Sequence, residues 1–175
     1  MKTNDTVLVN RIANSKLITI NLEHYFPTAE IVEFDLKAYL FKDLILIEKD
    51  FRLALKEIDW SQYDDKAVAL YCSTDAIIPT WAYMLASGYL VPHANKIFLG
   101  TKKSLIEEEY RSRLNNLDYS QYQDLPIVIK GCSQKPVPES AYVDLTTRLI
   151  PVAKSIMYGE ACSTVPIFKK PKNQS

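Results

Sequence analysis

The sequence predicts an α/β protein with a mostly parallel sheet built from two duplicated βαβ units and an N-terminal β/α extension covering it. Three observations predict it. The stretch Asp59 to Gly100 recurs as Asp118 to Gly159. Each copy reads as strand, helix, strand. The first strand of each copy is a short, largely apolar run, the pattern of a strand covered on both faces.

The duplication is plainest at Asp59-Trp60-Ser61-Gln62-Tyr63, echoed by Asp118-Tyr119-Ser120-Gln121-Tyr122, an offset of 118 − 59 = 59 residues. At that offset Pro79 maps to Pro138, Ala82-Tyr83 to Ala141-Tyr142, Leu90-Val91-Pro92 to Leu149-Ile150-Pro151, and Gly100 to Gly159. The pairs Cys72-Ser73 and Cys132-Ser133 lie 60 apart (132 − 72 = 60), which reads as one residue inserted before the second cysteine and one removed after it. A repeat of this length organises a chain more strongly than any single motif.

One domain is expected for residues 1–175, with 1–58 as the extension, 59–100 and 118–159 as the repeats, and 169–175 as a tail. Residues 1–16 are polar and read as an extended lead-in. Leu17-Ile18-Thr19-Ile20 and Glu30-Ile31-Val32-Glu33-Phe34 read as two strands joined irregularly through Phe26-Pro27-Thr28. Asp35 can cap a short helix through Leu40. Asp43 to Glu57 is a longer helical candidate, with Leu44, Ile47, Phe51 and Leu55 at spacings of three and four.

Within the repeats, Lys66 to Tyr71 and Pro126 to Lys130 are the first strands, and Ile77 to Leu90 and Pro138 to Ile150 the helices. In each helix a proline stands near the first turn, where its missing N–H costs nothing. Lys96 to Leu99 and Ser155 to Tyr158 are the second strands, each closed by a glycine. Between the copies, Ser104 to Asn116 carries a helical pattern with Leu105, Tyr110 and Leu114 inward. The order implies parallel strands joined by right-handed crossovers.

Composition narrows the function. Twenty-one basic and 21 acidic residues leave no net field to attract phosphate backbones or anionic lipid, so nucleic acid is not an expected partner. No apolar run approaches the ~20 residues of a membrane helix. Met1 to Asn10 has no apolar signal region, which makes a cytoplasmic location the expectation. Only four glycines occur and none follows a strand in a Gly-rich turn, which disfavours the dinucleotide fingerprint and the P-loop. His24 and His93 stand alone, without a partner at metal or triad spacing.

The chemistry is sought at the cysteines. Ligands of open α/β folds bind outside the C-terminal ends of parallel strands. Cys72 and Cys132 end the first strands of the two copies, and Cys162 follows Gly159 at the end of the fourth strand. If all share one sheet edge, three thiolates suit zinc or an iron–sulfur cluster, with Glu160 or Asp75 as fourth ligand. Two other readings stay open. One thiol could serve a thiol enzyme or redox protein, activated at a helix N-terminus. Alternatively the cysteines are small apolar residues at strand ends, in a protein-interaction module without chemistry.

Cys72-Ser73-Thr74-Asp75-Ala76-Ile77-Ile78-Pro79-Thr80-Trp81-Ala82-Tyr83-Met84, Lys130-Gly131-Cys132-Ser133-Gln134-Lys135-Pro136-Val137-Pro138 and Gly159-Glu160-Ala161-Cys162-Ser163-Thr164-Val165-Pro166 carry a family likeness. With Glu48-Lys49-Asp50-Phe51-Arg52, they resemble a bacterial family known as domain of unknown function 2480, along nearly the whole chain. The resemblance implies a single-domain cytosolic protein whose genes lie near those of iron–sulfur assembly. Iron–sulfur assembly proteins are therefore the expected partners, and an accessory role in cluster assembly the expected function.

Overall fold

The computed structural model describes residues 17–131, 134–160 and 162–171. Its elements, in chain order, begin with β1 (Ile18–Asn21), β2 (Ile31–Asp35) and a small hairpin of β3 (Leu40–Phe41) and β4 (Ile45–Leu46). Then come α1 (Glu48–Glu57), β5 (Ala67–Tyr71), α2 (Thr80–Leu90), β6 (Lys96–Leu99) and α3 (Lys102–Asn115). The chain ends with β7 (Pro126–Lys130), α4 (Glu139–Leu149), β8 (Ser155–Glu160) and β9 (Ser163–Lys169). Short 3₁₀ turns at Leu22–Tyr25, Leu36–Tyr39, Trp60–Tyr63 and Ser120–Tyr122 precede or follow strands.

The α/β class and the parallel βαβ units are as the sequence predicts. The two copies, however, build two sheets. One has the order β2-β5-β6 and is parallel throughout; the other has the order β1-β7-β8-β9, with only β9 antiparallel. The chain divides accordingly into two compact units, the contiguous Pro27–Glu109 and a discontinuous one of Met1–Phe26 with Tyr110–Ser175.

In the contiguous unit, Val68 and Leu70 of β5 pack under α1 and α2, against Phe34, Phe51, Leu55, Ala82, Ala86 and Leu90. Ala67 and Ala69, on the opposite face, meet Leu105 at the start of α3. Small residues on that face let the helix approach closely. Thus α1 does cover a sheet, as expected of the N-terminal extension. The two strands of the extension do more: they do not pair with each other, and each becomes an integral strand, β1 beside β7 and β2 beside β5.

The duplication extends beyond the stretch the sequence marks. Val32 lies beside Val68 and Ile18 beside Ile127, so β1 and β2 are counterparts at an offset of 32 − 18 = 14. Asn21 Oδ1 accepts from the Glu23 amide (3.1 Å), and Asp35 Oδ1 from the Lys37 amide (2.9 Å), each capping a 3₁₀ turn that buries Leu22 or Leu36. Phe51 and Leu55 of α1 have buried counterparts in Tyr110 and Leu114 of α3, at the offset of 59. The Trp60 indole donates to the Leu55 carbonyl (2.9 Å), and the Tyr119 hydroxyl donates to the Leu114 carbonyl (2.7 Å). Different side chains thus satisfy the same exposed helix-end carbonyl.

Two local expectations change. The helix expected from Asp43 begins only at Glu48, because Lys42 and Asp43 adopt positive φ (52° and 58°) and close the β3–β4 hairpin. The segment from Ser163, for which no strand is expected, forms β9. Lys170, expected in a solvated tail, is tied down by its ion pair to Asp124 (2.7 Å).

The paired caps lead to a contrast measurable by denaturation. Burial pushes the Tyr119 hydroxyl up to about 12, so it stays a donor well into the alkaline range. Trp60→Phe and Tyr119→Phe should each lower stability by about 1 kcal/mol at neutral pH, from one lost hydrogen bond. Because the folded-state value is raised, Tyr119 stabilises fully below its unfolded value near ~10, and this stabilisation is lost as pH rises towards ~12. Tyr119→Phe should therefore flatten the alkaline decline in stability, whereas Trp60→Phe should leave it unchanged.

Candidate functional site

The thiol-centred metal site is overturned. Among the described residues no group of three His, Cys, Asp or Glu side chains is placed to hold a metal ion. The physical reason lies in the sheets: the strands that precede Cys72 and Cys132 belong to different sheets, so the shared edge that was to gather the thiolates does not exist. Cys132 itself lies outside the described residues. Nor do the cysteines occupy matching positions. The ladder partners Ala67 with Lys96 and Pro126 with Ser155 keep the offset of 59, which makes Gly131, not Cys132, the counterpart of Cys72.

The residues proposed for that site have other roles. Cys72 is half-buried just after β5, packed against the core of the contiguous unit. Cys162 is exposed in the turn between β8 and β9. The Glu160 carboxylate is 3.1 Å from Lys130 Nζ, an ion pair across the ends of β8 and β7. Asp75 lines a pocket of about 390 Å³ with Ala76, Ile77, Pro79 and residues Leu44, Ile45 and Leu46 of the hairpin.

A larger feature lies in the discontinuous unit. An open groove of about 680 Å³ runs between α4 and the sheet face beside it. Its helical wall is Glu139, Tyr142, Val143, Thr146 and Thr147, the stripe that spacings of three and four place along one side of α4. Its floor and far wall are Ile129 of β7, Met157 and Tyr158 of β8, and Ile167 of β9, closed at one end by Val137. Both β9 and the groove depend on Gly159, whose φ of 117° and lack of a Cβ, which would stand 2.7 Å from the Ser163 carbonyl oxygen, let the chain turn back.

The loop leading into α4 is pinned from below. Glu23, largely buried, accepts from the Gln134 amide (2.7 Å) and the Lys135 amide (3.3 Å) through one carboxylate oxygen. Charge-assisted bonds of this kind are about twice as strong as neutral ones. In the other unit Asp35 acts similarly, accepting from the Ser73 amide (2.9 Å). Burial raises the Asp35 carboxyl, but hydrogen bonds from the Ser73 side chain and from the Lys37 and Ser73 amides outweigh it and hold the group below its usual value.

Tyr142 and Tyr158 meet edge to face, with centroids 5.7 Å apart and planes at 76°. The polar groups of the groove are the Glu139 carboxylate, two tyrosine hydroxyls and two threonine hydroxyls, of which Thr147 already donates to the Val143 carbonyl (2.9 Å). The rest of the lining is apolar. Two features hide these residues in the sequence. Tyr142 recurs with Tyr83 as part of the repeat, and Pro166 interrupts the alternation of Val165 and Ile167 that marks β9.

Fold and site together define a duplicated, mainly parallel α/β protein with an open apolar groove on one copy. The family model of the DUF2480 proteins of unknown function matches residues 6–170, and the chain belongs to that family. No curated protein and no solved structure matches it. Among the described residues no helix is long and apolar enough to cross a membrane.

Close packing at Gly131 supports one wall of the groove and can be tested. A Cβ there would stand 2.8 Å from the Tyr142 hydroxyl and 3.1 Å from a Val137 methyl. Gly131→Ala should cost about 1 to 3 kcal/mol. In the Tyr142→Phe background the nearest atom is gone, so a double-mutant cycle by chemical denaturation should show a favourable coupling of about 1 kcal/mol. Strict additivity would count against this packing.

Proposed function

We propose that the groove of the discontinuous unit binds a small organic molecule with an apolar body and a cationic amine end. The observation that carries this reading is the lining itself: an apolar trough whose one charged side chain among the described residues is the Glu139 carboxylate. A volume of about 680 Å³ lies within the range of small-molecule sites, which are mostly apolar with a few placed polar groups. Glu139 stands in the first turn of α4, where the helix contributes roughly half a positive charge. That offsets only part of a full carboxylate, so the end of the groove remains negative. The Tyr142 and Tyr158 rings add faces that attract an ammonium group.

The side chains offered are those that hold a ligand, and the reading is one of binding. A cytoplasmic location belongs to it, supported by the unpaired thiols of Cys72 and Cys162, which suit a reducing compartment.

Octylammonium, octanol and octanoate, each below its aggregation limit, serve as probes in an amide NMR titration of the full chain. At about 0.5 kcal/mol per heavy atom, between the values for tiny and drug-sized ligands, a probe of this size binds near ~0.5 mM, so saturation is measurable. Octylammonium should shift resonances along α4, β8 and β9 and bind about tenfold more tightly than octanoate. Glu139→Gln should reduce it to the affinity of octanol. Octanoate binding as tightly as octylammonium, or the absence of saturable shifts there, would overturn the proposal.

A further inference from the structure

The contiguous unit repeats the architecture of the groove up to one missing piece. Its α2 and β6 are the counterparts of α4 and β8, and in the discontinuous unit β8 has an antiparallel neighbour, β9, on its outer side. Among the described residues β6 ends its three-stranded sheet with no such neighbour. The side chains beside the vacant position are apolar and exposed. Met84 (70% exposed) corresponds to Val143 (65%), Leu99 (64%) to Tyr158 (47%), and Val91 to Ile150, all at the offset of 59. In the discontinuous unit Ile167 of β9 stands in the groove with Val143 and Tyr158. Nothing among the described residues plays that part for Met84 and Leu99.

We propose that β6 pairs antiparallel with β6 of a second copy of this chain, making one continuous sheet across a two-fold axis. The molecule itself supplies the template, since an antiparallel strand is what the equivalent edge of its own repeat carries. Self-pairing also fits the chemistry of the edge. Two of the other edges carry features that discourage strand addition: β9 has Pro166 and a register irregularity, and β2 carries Glu33 and Asp35. β6 has no proline, and its one charge, Lys96, is neutralised by Glu109 of α3 at 2.5 Å. With no net charge on the chain, two copies do not repel.

The register follows from the faces. Ile97 and Leu99 lie on the α2 side of the sheet, while Phe98 packs towards Ala67, Ala69 and Leu105 on the α3 side. In an antiparallel pair, residues directly opposite share a face. An axis through Phe98 satisfies this: Phe98 opposes Phe98 on one face, and each Ile97 opposes a Leu99 on the other. The two α2 helices then flank the junction on one side, where Met84 and Leu99 from both copies cover it. The contact is isologous, the commonest form of closed pairing.

Sedimentation equilibrium of the full chain at loadings up to about 200 μM tests this. The expected mass is twice the 20.0 kDa of one chain. Leu99→Lys and Met84→Lys, both at exposed positions, should each return the protein to the monomer mass with far-UV circular dichroism unchanged and a melting temperature that no longer rises with protein concentration. Val165→Lys, exposed on β9, should leave the dimer intact. A wild-type monomer at the highest loading, or a dimer that survives both substitutions or yields to Val165→Lys instead, would overturn the proposal.

Discussion

The parallel ladder between an N-terminal strand and the first strand of a repeat is the contact on which each unit depends. A strand, helix and second strand give only two paired strands, and β5 and β7 lie at the centre of their sheets only because β2 and β1 occupy their other sides. Without those partners the amides and carbonyls along one edge of each central strand would lack ladder bonds where apolar side chains exclude water. The neighbouring caps follow from the same geometry. Asn21 and Asp35 end their strands by turning the chain into a 3₁₀ helix, burying Leu22 and Leu36 fully.

Exact echoes made the repeats legible. Asp59 to Tyr63 and Asp118 to Tyr122 share not only residues but bonds, because Ser61 and Ser120 each donate to the preceding aspartate and Gln62 and Gln121 each donate to its carbonyl. Helix α3 was equally legible, its inward Leu105, Tyr110 and Leu114 all fully buried. The kinship of β1 and β2 was not, since it runs at a different offset and preserves few identities beyond Leu22 with Leu36 and Tyr25 with Tyr39. Strand partnership is long-range information, and nothing local in Ile18-Thr19-Ile20 says that Ile127 to Ile129 will lie beside it.

The candidate site was least legible because the most reactive residue type drew the attention. Cysteine spacing is informative when ligands are close in sequence, but three isolated thiols gather only if the topology brings them together. Here the topology separates the strands that carry the first two. The groove, by contrast, is built from ordinary residues, Val143, Thr146, Tyr158 and Ile167, whose significance lies in being uncovered. The copies share a scaffold and differ in what surrounds it. Gly131 stands where the other copy has Cys72, and the Tyr142 hydroxyl takes up the room that the absent side chain leaves.

The discontinuity of one unit has a consequence for how the molecule is made. Residues 27–109 carry every strand and helix that their three-stranded sheet needs, so this half can close as soon as it leaves the ribosome. The other half cannot, because β1 is synthesised before that stretch and β7 only after it. Its closure brings together the points where the chain leaves and returns. There Phe26 meets Tyr110 edge to face at 6.4 Å, and Arg113 donates to the Phe26 carbonyl. Along the chain one unit is an insertion in the other, and β1 must wait unpaired while that insertion is synthesised, the interval in which a bare strand is most open to wrong partners.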